Sequence, residues 1–423
     1  MFFLKKVLKI LAKITLCRYK PHIVGVTGNV GKTSTKLAIA AVLEHGKRVR
    51  ASAKSFNNEI GLPLAILGSW QKTGGAFFWC RVMCASICRI IFKWPLYPEV
   101  LVLEYGVDRP GDMAKLVDIA KPDTAVVTAI GDIPVHVEFF SGKEHVAKEK
   151  SKLVRALPAT GHAVLNADDV SVYGMREEVR GKVITFGFSD IADVKVTSFE
   201  QVFRRDAHAV IMKLEYRGSF IPARIEESLG KAQGYASAAA AAVGLIFGMN
   251  LVTISEALSD YHSPPGRLKV LEGIKKSTLI DDTYNASPLA TEEALRTLAE
   301  ISGGRKIAVL GDMLEIGKYT LEAHERIGKI AASSVDILIT VGMRGKFISD
   351  AAAREGMDKN KVYHCEDSEE AGKLLQKKLK PGDVVLIKAS QAMRLEKAVK
   401  EVMAEPERAK ELLVRQDKRW LKK

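Results

Sequence analysis

Alternating strand and helix patterns predict an α/β protein of two successive parallel-layered domains after a short basic helix. Three observations carry this. An apolar, β-branched run, HIVGVT, runs into a glycine-rich turn and then into KTSTKLAIAAVL, which has helical periodicity. Further short apolar runs, VLVLEYG, TAVVTAIG and HAVLNAD, recur along the first half. After SPPGRLKVLEG the pattern starts again with TLIDDTYN, KIAVLGDM, DILITVG and DVVLIKAS, separated by stretches of helical period. The boundaries read as a basic amphipathic helix over 1–21, a central domain over 22–262 and a second α/β domain over 263–423. Within the central domain, VITFGF and HAVIMKLEYRGSFIPARI are expected to form a more antiparallel patch.

The first element, MFFLKKVLKILAKITLCRYK, holds six basic residues and no acidic one. Leu4, Val7, Leu8, Leu11 and Ile14 fall on one helical face, with Lys5, Lys9 and Lys13 on another. That pattern fits a helix lying on an anionic membrane, with a solvated helix packed on its own domain as the alternative. The formal net charge of +14 does not point to nucleic acid, because no aromatic-interleaved basic motif accompanies it. The apolar stretch AFFWCRVMCASICRIIFKWPLYP is interrupted by Arg81 and Arg89 and ended by Pro95, so it reads as a buried or interfacial helix. Nothing approaches the roughly 18 uninterrupted apolar residues of a membrane span. Cys80, Cys84 and Cys88 share a helical face, without the close pairing of zinc ligands, and are expected to be small buried hydrophobes. Five cysteines without a disulfide-scaffold spacing, and no cleavable leader, point to the cytoplasm.

The turn after HIVGVT reads TGNVGKTST, with glycines at Gly25, Gly28 and Gly31. Its strand, loop, helix setting is that of a phosphate site. Backbone N–H groups and a helix N-terminus would face the phosphates, Lys32 would add a charge, and the Thr33 hydroxyl suits Mg²⁺. In the second domain, Asp281, Asp282, Asp312 and Glu315 lie at strand ends, where open α/β sheets bind ligands, although Glu315 reads more simply as a cap or turn residue.

Taken in order, TGNVGKTST, SFNNEIGLPLAIL, VLEYGVDRPGDM, IPVHVEFF, VAKEKSKL, NADD, PPGRLKV, DDTYNASP and LGDMLEIG resemble the Mur ligase family over about residues 22–403, and within it the MurF branch. The resemblance implies a P-loop central domain followed by a Rossmann-like C-terminal domain. It also implies an ATP-dependent ligase that joins a dipeptide, D-alanyl-D-alanine, to a nucleotide-linked muramoyl tripeptide for the cell wall, acting as a monomer. The route is an acyl phosphate, attacked by the incoming amine through a tetrahedral intermediate.

By the same resemblance, Gly28, Asn29, Val30, Gly31, Lys32, Thr33 and Ser34 hold the nucleotide phosphates, and Thr33 with Glu104 holds one Mg²⁺. His136 lies near a second Mg²⁺. Lys150 matches a lysine that many members carbamylate, which makes it a metal ligand, and Lys32, His136 and Lys150 are the implied catalytic groups. Arg267 and Asp282 face the nucleotide from the second domain, Gln233 lies near adenine, and Asn57, Asn58, Tyr284 and Asn285 lie near the substrate.

The sequence also departs from the family. Ala232 and Ala236 replace polar neighbours of Gln233, and the late KGSR motif reads Lys388, Ala389, Ser390, Gln391, which removes an arginine from the amine side. The phosphate loop begins close to Met1, without the uridine-nucleotide-binding domain usual before it. A γ-glutamyl polymer ligase of the same superfamily and a non-catalytic nucleotide-binding scaffold are the competing readings. SFNNEIGLPL and DDTYNASP argue against the first, and the joint presence of Lys32, Thr33, Glu104, His136 and Lys150 against the second.

Overall fold

The structure, a computed structural model, describes residues 2–52, 56–70, 74–204 and 207–421. Among them, two sheets carry the fold. The first contains β1 (His22–Thr27), β2 (Val49–Ala51), β3 (Val100–Glu104), β4 (Thr124–Val127), β5 (His162–Asn166), β6 (Lys182–Gly187), β7 (Val194–Arg204), β8 (Ala207–Tyr216) and β9 (Ser219–Glu226). Its order is β2-β3-β1-β4-β5-β6-β7-β8-β9. Strand β1 pairs in parallel with β3 on one side and β4 on the other, so the chain leaves β1 where the strand order reverses. Ligands of open α/β sheets bind at such a point.

The expected antiparallel patch is only partly correct. Strand β6, the VITFGF run, pairs in parallel with β5. The antiparallel part is β7, β8 and β9, and the β8–β9 turn uses Arg217 at φ 51° and Gly218 at φ 77°. Backbone at positive φ on both central residues suits the tight turn of a hairpin. Strand β7 escapes a pattern search because exposed Thr197, Ser198 and Glu200 interrupt its apolar alternation.

The second sheet contains β10 (Lys269–Gly273), β11 (Ser277–Asp281), β12 (Lys306–Gly311), β13 (Ile337–Val341), β14 (Val362–Cys365) and β15 (Val384–Lys388), in the order β10-β11-β15-β12-β13-β14. All pairs are parallel except β10–β11. Strands β12, β13 and β15 are buried along most or all of their length, as parallel strands covered by helices on both faces require.

Around the first sheet run α1 (Phe2–Tyr19), α2 (Lys32–Glu44), α3 (Gly61–Leu67), α4 (Ala76–Phe92), α5 (Asp112–Ile119) and α6 (Lys143–Arg155). Helix α1 packs on α3 and α4. Leu8, Ala12 and Thr15 are buried, whereas Ile14, expected in the apolar stripe, is exposed. Lys5 pairs with Glu59 at 2.6 Å, and Lys9 and Lys13 both pair with Asp118 of α5. The stripe that α1 buries is therefore rotated from the expected one, and Lys5, Lys9 and Lys13 answer carboxylates of the same protein. Helix α4 departs further. Only Val82 and Ser86 are buried, and Cys80, Cys84 and Cys88, expected inside, are exposed.

Candidate active site

Strand β1 delivers the chain to the phosphate loop, and two local constraints explain its glycines. Gly31 caps α2 at φ 86°, a conformation that costs a residue with a side chain roughly 1–2 kcal/mol. Gly28 lies at φ 140°, and a Cβ there would meet Thr128 Oγ1 at 2.0 Å. The loop thus crosses the end of β4 with no room for a side chain, and the glycine belongs at position 28. Asn29 N–H donates to the Ala129 carbonyl at 2.6 Å and ties the loop to that strand. Gly31, Lys32 and Ser34 line the cavity at the N-terminus of α2, the end of a helix that suits an anion. Lys32 Nζ folds back onto the Gly28 carbonyl at 2.8 Å and the Asn29 carbonyl at 3.3 Å. Burial lowers its pKa, against the pull of Glu104.

Glu104, the last residue of β3, is the hub. Thr33 Oγ1 and Lys36 Nζ approach its Oε2 at 3.2 and 3.3 Å, and Asn57 Nδ2 donates to Oε1 at 3.3 Å. Burial alone would raise the Glu104 pKa, but Lys36, Lys32 and Arg267 outweigh it and hold the group below its ordinary value. Lys36 is fully buried and was missed in the sequence. The available signal was its place one turn after Lys32 in KTSTK, on the helix face that also carries Thr33.

His136 sits at φ 68°, with Nε2 3.3 Å from Asp108 Oδ1 and Nδ1 3.0 Å from Glu315 Oε2. The Nδ1 contact lacks hydrogen-bond alignment. Desolvation outweighs the pull of Asp108 and, with Lys32 and Lys150 acting the same way, brings the imidazole pKa down to about 4. At neutral pH the ring is uncharged between two carboxylates. Asp108 was not singled out in the sequence. Glu315 does occupy a turn, at φ 64°, but its side chain also reaches the site, so the cap-or-turn reading was incomplete.

Behind the loop, Lys150 of α6 is 1% exposed and donates to the Gly28 carbonyl at 3.1 Å. Burial, followed by the charge of Lys32, drives its pKa well below the usual lysine value. A lowered pKa favours the neutral amine, the form whose lone pair attack on CO₂ requires.

From the segment just before β10, Arg267 reaches across to Thr33 Oγ1 at 3.4 Å and stacks on the Tyr284 ring at 4.1 Å. Its Nε is buried without a partner. Asp282 borders the same space, but one oxygen is held by buried Lys388 at 2.7 Å. Lys388 also donates to the Asn285 carbonyl, and Gln391 N–H donates to Asn285 Oδ1, while the Gln391 side chain is exposed. Gln233 is buried. Its Oε1 accepts from Tyr261, its Nε2 donates to Ser263 Oγ, and Ser263 in turn donates to the Arg267 carbonyl. Gln233 therefore anchors the Arg267 loop as well as lining the cavity. Asn58 Oδ1 accepts from Ile60 and Gly61 N–H at the start of α3, which gives that side chain a structural task.

These groups surround one cavity of about 1230 Å³ between the two sheets. Asn29, Val30, Gly31, Lys32 and Ser34 of the loop line it. So do Asn57, Asn58, Glu104, His136, Gln233, Arg267, Asp282, Tyr284 and Asn285. Gly28, Thr33 and Lys150 stand just behind this wall, joined to it by the contacts already given. Asp281 and Asp312 do not join it. Asp281 accepts from Thr283, and Asp312 from the backbone of Arg344 and Gly345. Among the described residues no cluster of three or more His, Cys, Asp or Glu side chains is arranged to hold a metal. The Thr33 hydroxyl beside the Glu104 carboxylate nonetheless fits Mg²⁺, which takes one or two protein oxygens and completes its shell with phosphate and water.

A loop and helix N-terminus at the reversal point of one sheet, faced by an arginine from a second, define a P-loop α/β protein with an interdomain nucleotide cleft. The Mur ligase middle domain family matches residues 93–244, and the Mur ligase, glutamate ligase domain family matches residues 266–391. The UDP-N-acetylmuramoyl-tripeptide–D-alanyl-D-alanine ligase of Bacillus subtilis is 30% identical over 398 residues, covering 94% of this chain and 79% of that protein. The ligase of the same description from Mycobacterium bovis is 32% identical over 401 residues, covering 88% and 71%. Among solved structures, the MurF ligase of Thermotoga maritima in complex with ADP superposes with a TM-score of 0.77 at 28% identity, covering 94% of this chain and 83% of that one. The chain belongs to the Mur ligase family.

Proposed function

We infer that the protein is an ATP-dependent ligase of peptidoglycan precursor synthesis, joining D-alanyl-D-alanine to a UDP-N-acetylmuramoyl tripeptide, as its relatives are described as doing. The observation that carries the reading is the cluster of Thr33 and Lys36 of α2 with Glu104 of β3, and Arg267, from the segment just before β10, at 3.4 Å from Thr33.

The terminal carboxylate of the tripeptide attacks the γ-phosphorus of ATP, ADP leaves, and an acyl phosphate forms. The dipeptide amine then adds to the acyl carbon, loses a proton, and expels phosphate. The α2 N-terminus and Lys32 bind the phosphates, with Lys32 turning from the loop carbonyls to do so. Thr33 and Glu104 would hold one Mg²⁺, and His136 with a carbamylated Lys150 a second, which would supply positive charge against the phosphates. Lys36 keeps Glu104 ionised, and Arg267 adds a cation over the transferring group. Asn57, Tyr284 and Asn285 face the substrate side, and the exposed Gln391 leaves amine recognition to its neighbours. Contact with an anionic membrane belongs with this reading, supported by the basic and apolar exposure of α1 and α4. No described helix is long and apolar enough to cross a bilayer.

The test is phosphate release from ATP against muramoyl peptides and a panel of amines that includes D-alanyl-D-alanine and glutamate. Release that needs both a peptide carboxylate and the dipeptide is expected. Equal, substrate-independent hydrolysis identifies a nucleotide-binding scaffold, and a preference for glutamate identifies the γ-glutamyl type of ligase.

A further inference from the structure

We propose that the paired helices α1 and α4 form a docking surface for an anionic lipid bilayer, led by α4. Helix α4 carries its apolar side chains outward. Phe77 is 85% exposed, Phe92 75%, and Ile91 62%, and the segment just after the helix adds Trp94 and Leu96. Positions Phe77, Cys80, Cys84, Cys88 and Ile91 follow a helical stripe, and every one is exposed. On α1, Phe3, Ile10, Ile14 and Cys17 form a second exposed stripe, opposite to buried Leu8, Ala12 and Thr15. Two exposed apolar stripes on helices that pack on each other mark a contact with something apolar.

Charge selects the bilayer as occupant. Residues 1–20 and 74–98 contain no acidic side chain. Arg81, Lys93, Arg18 and Lys20 are exposed among the apolar groups. Aromatic and aliphatic side chains interleaved with cations suit the acyl boundary and the anionic headgroups at once. Neither helix spans, so the contact is peripheral.

The surface is held rigidly and reaches the cavity. Tyr19 of α1 donates to the Arg89 carbonyl of α4 at 2.7 Å and stacks on Tyr97. Beneath, Leu4 and Leu11 pack with Phe56 and Ile60 around buried Leu8, Leu64, Leu67 and Val82. Phe56 and Ile60 bracket Asn57 and Asn58, which line the cavity, and Lys5 pairs with Glu59 between them. Docking thus braces the loop that borders the substrate side, a coupling that rests on the ligase reading.

Flotation of the full chain with phosphatidylglycerol-containing and pure phosphatidylcholine vesicles tests the docking without reference to catalysis. Binding to the anionic vesicles alone, weakening with salt, is expected. The Phe77→Glu/Phe92→Glu variant, altered only at exposed positions, should bind them at least about tenfold more weakly at an unchanged melting temperature. Failure of the unaltered chain to float, or equal flotation of the variant, overturns the proposal. A dimer in light scattering that the variant abolishes, with no flotation, makes a second copy the occupant and also overturns it. Coupling is read separately: anionic vesicles should lower KM for the muramoyl substrate and leave kcat unchanged. An unchanged KM at full flotation removes the coupling and retains the docking, and loss of all ligase activity with flotation intact bears on the function alone.

Discussion

Lys36 and Glu104, 68 residues apart in sequence, are buried as an ion pair with Nζ 3.3 Å from Oε2, and both side chains are at most 2% exposed. The pair joins the second turn of α2 to the end of β3. Because Thr33 shares the same carboxylate oxygen, the pair also sets the charge and direction of the group best placed beside a nucleotide phosphate.

Removing one partner leaves the other buried. Lys36→Met should destabilise the protein by about 3 kcal/mol, and Lys36→Met/Glu104→Gln should recover most of that loss. Urea unfolding measures both, and the double variant should remain inactive, because the proposed mechanism gives Glu104 an ion to hold at the phosphate site. A single variant as stable as the parent shows that Lys32 and Arg267 suffice to compensate Glu104.

Gly28→Ala places a methyl group 2.0 Å from Thr128 Oγ1 at φ 140°. The loop must leave β4, so ADP affinity should fall more than about tenfold while the melting point drops only modestly. Isothermal titration with ADP checks this. Gly28→Ala/Thr128→Ala should restore part of the affinity by removing the clash but not the strain.

If, as proposed, carbamylated Lys150 holds an ion at the reacting phosphate, Lys150→Ala should lower turnover at least about a hundredfold while leaving ADP affinity within about threefold. Short carboxylic acids should restore some rate by filling the vacated place. In the unaltered protein, ¹³C-bicarbonate should give a carbamate signal that the variant lacks. Full activity in the variant removes Lys150 from the mechanism.

Asp281 lies fully buried at the end of β11, and desolvation raises its pKa from 3.8 to about 6 despite the two hydrogen bonds from Thr283. Because the folded pKa is the higher, the associated stability is complete below pH 3.8 and is lost as pH rises through about 6. Asp281→Asn cannot ionise. Its stability relative to the parent should therefore improve by on the order of 1–3 kcal/mol between pH 4 and pH 7. Parallel urea titrations across that range read the difference, and two curves of equal pH slope refute a buried, raised Asp281.

The α/β class, the strand, loop, helix unit at residues 22–44 and the second sheet were legible in the sequence, because each rests on local periodicity and on glycines that serve a turn. The positions of Lys32 and Thr33 at the start of α2 were legible for the same reason, since loop and helix are contiguous. Lys36, Asp108 and Glu315 acquire their places only when β3 lies beside β1 and the second sheet closes over the first. No local pattern encodes which strand neighbours which, so those contacts could not be read beforehand. Strand β6 was assigned to the wrong pairing because an apolar run reads alike in parallel and antiparallel sheets, and the direction is decided by its neighbour β5. The exposure of Cys80, Cys84 and Cys88 follows the same logic. The apolar period of α4 states that one helical face avoids water, but whether protein or another medium covers it depends on what the fold packs there. In this fold α1 and α3 leave most of α4 uncovered.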